Sequence, residues 1–463
     1  MANRHSMDLT TGSVFKKLLL FTLPILASNM IQQLYHAADV MVVGQFAFDP
    51  VTSLAAVGSS GSITTLILNV FLGLSVGANV ACANLYGRGD HENLNKTMYT
   101  SLILAVVGGI FVGIVGFAFA RPLLLMTGCP PTIIEEATTY MQIIFLGQPF
   151  NLIFNFGAGI LRSHGDSKRP MYILTAAGLV NVVLNVFFVV AFHWDAAGVA
   201  AATSISNLIS AAAVLAILFH PNGEFHLSFR EVCFSFKAMK EIARIGLPSG
   251  INGILFSVSN VMLTSSVNTF DDVIIAGNSA ANSVDNILFQ FINSIYTAVI
   301  SFTGQNYGKR DFSRIHRGLF HAILLNVGIY AFLDIFILVK PEFFVGIFTD
   351  EAAVIAAGAQ KVVITGAGYV LYVVSDLSIG ALRGMGVALI PTVINVACIC
   401  LTRLVWILFI FPFKHDFKFL LLCYPISWII SSTAQLICYF YYRKKKIKEW
   451  EEEQRKALGL NHT

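Results

Sequence analysis

An all-α, polytopic membrane protein is the fold class the sequence predicts, with twelve transmembrane helices in two six-helix lobes related by an axis along the membrane normal. Three observations predict it. Of 463 residues, 56% are apolar and only 12% charged, with a mean hydropathy of +0.72; soluble domains carry about 25% charged residues. Long apolar stretches alternate with short polar clusters such as YGRGDHENLNK (86–96) and RSHGDSKRP (162–170), and a helix needs roughly 20 apolar residues to cross a bilayer. The chain also repeats itself. LYGRGD (85–90) matches NYGKRD (306–311), and LRSHGDSKRP (161–170) matches LRGMGVALIP (382–391), both at an offset of 221. FDPV (48–51) matches FDDV (270–273) at 222, and Leu-Pro at 23–24 matches Leu-Pro at 247–248 at 224. Repeats with six helices each keep the same orientation in the membrane, which makes them parallel.

The elements follow in order from apolar runs and their breakers. Span 15–43 starts beside Lys16 and Lys17 and runs too long, without a small-residue cleavage site, to be a signal peptide. Pro24 is the expected bend in it, and Asp49-Pro50 closes it. Spans 53–84, 94–120, 136–161, 171–192 and 197–219 complete the amino-terminal lobe, residues 1–219. The polar stretch 220–240 reads as a cytoplasmic linker. Spans 241–267, 273–305, 316–339, 352–382, 391–411 and 417–442 form the carboxy-terminal lobe, residues 241–442, followed by a basic cytoplasmic tail at 443–463 that anchors at lipid headgroups.

Basic residues orient the helices. Of the 30 Lys and Arg, Arg121, Lys340, Lys361, Lys414 and Lys418 fall outside and Arg403 within a span. The other 24 are cytoplasmic when the amino terminus is placed inside. Both termini are therefore expected in the cytoplasm. With charge segregated in this way, the net +4 gives no reason to expect a nucleic-acid partner. Seven cysteines are scattered without metal-type spacing and read as apolar packing residues.

The stretches QQLYHAADVMVVGQF, LAAVGSSGS, GLSVGANVACANLYGRGD, GILRSHGDSKRPM, SFTGQNYGKRD and GALRGMG follow one another in the order found in a known family. The sequence resembles the MATE (multidrug and toxic compound extrusion) transporters, in particular the bacterial DinF/MepA-like branch, from Phe15 to Tyr442. The resemblance implies twelve helices in two lobes and no enzymatic activity. It implies a multi-pass antiporter in the inner (plasma) membrane of a bacterium, acting as a monomer and exporting amphiphilic, mostly cationic compounds. A proton or Na⁺ gradient would drive it by alternating access. No cofactor is expected, and no GxxxxGK[ST] stretch points to ATP.

Acids inside the membrane are rare and are functional candidates by default. Asp39 is the first. Counting ~1.5 Å per residue from Lys17 sets it ~33 Å along its helix, near the outer interface; the apolar VMVV that follows argues for greater depth. Aligning DVM (39–41) with NVM (260–262) puts Asn260 opposite it, so the scaffold does not demand this acid in both halves. Read from the residues alone, surface and functional roles stand about even. The resemblance assigns Asp39 to ion coupling, together with Asn181, Asn185 and Thr203; some members carry a second aspartate at the Asn185 position. A Na⁺ at Asp39 is the only metal that reading allows. His36 reads as an interface histidine, and Arg162 and Arg383 as helix anchors at the cytoplasmic surface. Asp376, whose repeat counterpart is Asn155, and Arg403 are expected to form a structural intramembrane pair, since a buried Arg needs a partner.

Two rivals weigh less. A lipid-linked oligosaccharide flippase on a related scaffold would line its cleft with several basic residues, and only Arg403 reads as deep. A prenyltransferase-like enzyme wants paired acids for Mg²⁺. The one adjacent aspartate pair, Asp271-Asp272, falls on an external turn, and half of it repeats Asp49.

Overall fold

Each expected span corresponds to a helix in the computed structural model, which describes residues 6–221, 225 and 227–457. Residues 222–224 and 226 of the expected linker and 458–463 of the expected tail lie outside the described residues. The helices are α1 (Val14–Phe46), α2 (Pro50–Arg88), α3 (His91–Met126) and α4, built of Ile134–Leu146 and Gln148–Ser163. Then come α5 (Lys168–Ala191), α6 (Asp195–Leu218), α7 (Phe236–Val267), α8 (Asp272–Gly308) and α9 (Phe312–Val339). A short helix, Pro341–Gly346, precedes α10 (Ala352–Gly384), α11 (Leu389–Phe413) and α12 (Phe417–Lys456). Among the described residues eleven are long and apolar enough to cross a membrane, and the α4 pair, bent by 43°, makes a twelfth if counted as one span.

The repeated motifs are helix boundaries. Asp49 caps α2 by accepting from the Thr52 N–H at 3.2 Å and the Thr52 hydroxyl at 2.6 Å, with Pro50 in the first turn. Asp271 caps α8 in the same way, accepting from the Ile274 N–H at 2.9 Å. In LYGRGD and NYGKRD, Gly89 (φ 72) and Arg310 (φ 62) both take the left-handed turn. Asp90 and Asp311 then cap α3 and α9 by accepting from Asn93 and Arg314 N–H groups. The second copy holds this corner without glycine, although an L-residue there costs roughly 1–2 kcal/mol.

The chain divides into two compact units. One holds Leu23–Gly253 with the described residues up to Asp8; the other holds Leu9–Thr22 with Ile254–Thr463 as far as described. The boundaries fall inside α1, beside Pro24, and inside α7, whereas the sequence reading keeps each helix whole within one lobe. In the first unit α7 reaches α2 through glycines. A Cβ on Gly73 would strike the Gly250 backbone, and one on Gly77 the Ile242 carbonyl, so these helices meet backbone to backbone. The core of this unit gathers Met98, Phe145, Phe156 and Leu161, all nearly or fully buried.

In the second unit Leu9 is fully buried. Its N–H donates to Gln305 at 3.2 Å, and its carbonyl accepts from Asn306 at 3.2 Å. Arg314 donates to the carbonyls of Leu9, Thr11 and Gly12 at 2.7–3.1 Å. The basic stretch after Tyr442 continues α12 as helix and is crossed by the Lys446–Glu449 and Arg310–Glu453 ion pairs.

Candidate functional site

Asp39 lies on α1 and is 8% exposed. Three side chains from two other helices close around it. Asn185 of α5 donates from Nδ2 to Asp39 Oδ1 at 2.5 Å, and the Thr203 hydroxyl of α6 donates to Oδ2 at 3.5 Å. Asn185 also donates to Asn181 Oδ1 at 3.2 Å, and Asn181 donates to the Thr203 hydroxyl at 3.3 Å. The four-residue spacing stacks the two asparagines on one face of α5. Burial rather than outer-interface exposure is thus where the structure places Asp39, and it brings all four expected residues into one network.

That network solvates a carboxylate with neutral donors alone. No basic side chain pairs with Asp39 among the described residues. Asn185 Oδ1 is buried without a hydrogen-bond partner, so an acceptor is left beside the acid. The site opens on a cavity of about 370 Å³ within the same unit, lined by Asp39, His36, Tyr35, Asn155 and Asn207 among others. Tyr35 reaches it because Gly178 of α5 has no side chain: a Cβ there would strike the Tyr35 ring. Immediately after Asn185, α5 loosens into a π-helical turn, Phe187–Ala191, a feature common at functional sites. Pro24 lies within a helix that stays continuous, and its carbonyl accepts from Ser28 at 2.8 Å.

The second expected constellation is corrected. Asp376 and Arg403 do not pair. Arg403 is 1% exposed and donates from Nη1 to Asn260 Oδ1 at 3.1 Å, with its guanidinium 4.6 Å from the Tyr424 ring centroid. The charge that reaches Asp376 comes from Arg383, which is itself buried, donating to Tyr296 and Thr392 rather than anchoring a helix at the surface. Asn155, the repeat counterpart of Asp376, donates to Asn151 Oδ1 at 2.8 Å.

A further correction concerns Lys361. Assigned to the exterior by its position near the start of α10, it is 1% exposed, 3.7 Å from the Asp285 carboxylate, and donates to Asn278 at 3.0 Å and to Asn282. Buried basic residues are thus more numerous than the sequence suggested. The missed signal was the stripe Asn278, Asn282, Asp285, Asn286 on one face of α8. Asp334 of α9 is another buried acid, its Oδ1 lacking a hydrogen-bond partner. Among the described residues no group of three or more His, Cys, Asp and Glu side chains could hold a metal.

The family model MatE matches residues 24–187 and 248–408. The chain is similar to the probable multidrug resistance protein YpnP of Bacillus subtilis (strain 168), 27% identical over 458 residues, 96% of this chain and 99% of that protein. It is similar as well to the probable multidrug resistance protein YoeA of the same organism, 26% identical over 394 residues, 84% and 85% of the two chains. Its fold resembles the outward-facing conformation of a multidrug resistance MATE family transporter of the MOP superfamily. The TM-score is 0.86 at 22% identity, over 99% of this chain and all of that one.

Proposed function

From the premise that the chain belongs to the MatE family, whose members are transporters rather than enzymes, we propose a cation-coupled antiporter that exports amphiphilic, mostly cationic organic compounds. Protonation of Asp39 selects between its outward- and inward-open states. The observation that carries this reading is the Asp39 network. Both carboxylate oxygens accept hydrogen bonds from neutral donors, and removing a charge from water without a counter-charge is costly. A proton removes that charge and gives the carboxyl a donor of its own. Thr203 then faces a hydroxyl where it had an acceptor, and the α1–α5–α6 contacts must rearrange. Two conformations whose balance depends on that proton are what coupling requires. Pro24, beside the contact boundary in α1, is the proposed hinge.

A proton fits better than Na⁺ because the network contains one carboxylate and no second acid at position 185. Relatives named for multidrug resistance support drug-like small molecules as cargo. Charge distribution supports a plasma-membrane orientation with both termini in the cytoplasm. The flippase reading is not favoured by the family assignment.

The test is efflux of the fluorescent cation rhodamine 123 from vesicles under separate pH and Na⁺ gradients. Wild type should respond to the pH gradient. Asp39→Asn should reduce gradient-driven efflux at least ~10-fold while melting and expressing like wild type. Full drug resistance in cells carrying Asp39→Asn would sink the assignment, and efflux driven by Na⁺ alone would replace the proton.

A further inference from the structure

We propose that the cavity of the carboxyl unit binds an aromatic organic anion, gripped by the Arg403 guanidinium and stacked on the aromatic wall around Tyr424. The cavity measures about 380 Å³, within the range of small-molecule sites, and every residue lining it belongs to one unit.

Its two cations are not in the same situation. Lys361 is answered by Asp285 and by two asparagine carbonyls. Arg403 is not. Among the described residues no carboxylate pairs with it; its single hydrogen bond goes to the neutral Asn260, and its buried Nε has no partner. What remains is aromatic: the guanidinium lies 4.6 Å from the Tyr424 ring centroid and 5.6 Å from that of Phe256. A ring face offsets only part of what a buried charge loses on leaving water. A ligand carboxylate, sulfonate or phosphate would supply the missing partner, in the bidentate geometry that suits Arg.

The walls specify the rest of the ligand. Trp428 sits 5.5 Å from Tyr424, 5.4 Å from Tyr369 and 5.6 Å from Tyr372, centroid to centroid. The tyrosine rings are tilted by 26–55° to that of Trp428, and Trp428, Tyr369 and Tyr372 are buried. They form a packed aromatic wall behind Tyr424, the ring of the four that is left accessible for a flat aromatic molecule to stack on. With two basic groups against one acid, the cavity repels organic cations. The repeat sharpens the point, because the position aligned with Asp39 holds an amide here: a carboxylate at 260 would have neutralised Arg403 from within. This proposal does not rest on the role assigned to Asp39.

Full-length protein in phosphatidylcholine nanodiscs provides the test. Fluorescein and rhodamine 123 share a ring system and differ in charge, and anisotropy reads the binding of each. Saturable fluorescein binding is expected, weakened at least tenfold by Arg403→Gln and equally by Asn260→Asp, with rhodamine 123 binding weakened by neither. Asn260→Asp gives the guanidinium an internal partner, so its melting temperature should match or exceed wild type, which separates lost binding from lost folding. Unsaturable fluorescein binding, or wild-type affinity in a well-folded Asn260→Asp, overturns the proposal. So does abolition of fluorescein binding in nanodiscs containing phosphatidylglycerol, if wild type but not Arg403→Gln retains that lipid on purification; the site would then hold a lipid phosphate.

Discussion

At the scale of single residues, the two hydrogen bonds to Asp39 are unequal, and that inequality ranks the variants. Asn185 donates at 2.5 Å and Thr203 at 3.5 Å. Leaving a buried charged group short of a donor costs about 1–3 kcal/mol or more. Initial rates of rhodamine 123 efflux should therefore fall at least ~10-fold in Asn185→Ala and less than ~5-fold in Thr203→Ala; the reverse order would contradict the network. His164, in the loop after α4, carries a different consequence. It is packed against Tyr86 and Phe225, with Nδ1 3.0 Å from the Ile160 carbonyl, and burial pushes its imidazole from 6.5 down to about 4. The unfolded chain takes up a proton there before the folded protein does. Stability from the neutral ring is thus complete above about pH 6.5 and is lost as pH falls toward 4. Melting in detergent should show roughly 2 kcal/mol less stability at pH 5 than at pH 7.5 from this group. His164→Gln should remove that part of the drop, and an unchanged drop would show that another group causes it. Asp39 was legible as a candidate because it is an acid inside an apolar run, whereas Asn181, Asn185 and Thr203 were candidates only through the family resemblance. The pairing of Lys361 with Asp285 escaped notice because charges that answer one another across two helices look, in one dimension, like unrelated residues.

Among the elements, close backbone approach explains more than hydrophobicity does. Helix α7 meets α2 where Gly73 and Gly250 leave no room for a side chain, and lipid-like apolar surfaces give helices little other reason to associate. Gly73→Val should lower stability by about 1–3 kcal/mol, read as a lower melting temperature of the purified protein; a wild-type melt would mean that the two helices do not meet as closely as described. Both α5 and its repeat counterpart α11 contain π-helical turns, Phe187–Ala191 in the first, Val396–Leu401 and Trp406–Ile410 in the second. Asn185 precedes the one, and Arg403 lies between the other two. None of the three turns was visible in the sequence, since a π-turn has no strong residue signature and reports how a helix is packed. Helix existence and the turns at Asp49 and Asp271 were legible for the opposite reason: each of these aspartates acts within three residues of itself.

For the whole molecule, basic residues predict a topology that can be measured. A fluorescent protein fused to the carboxyl terminus should fluoresce in cells, and cysteines introduced near either terminus should resist membrane-impermeant thiol reagents applied from outside. Labelling of either terminus would invert the assignment and every loop with it. The membrane class, the number of helices, the internal repeat and the family were determined by sequence alone. Each depends on composition over tens of residues or on order along the chain, and a bilayer enforces both strongly. Only the tertiary structure decided which charges are paired. It separated Asp376 from Arg403, drew Lys361 inside to Asp285, and left Arg403 facing a cavity with an amide for company. It also assigned Leu9–Thr22 to the same unit as the carboxyl-terminal helices. Charge compensation is settled over a few ångströms between helices, and residues far apart in the chain meet at that range only once the helices have packed.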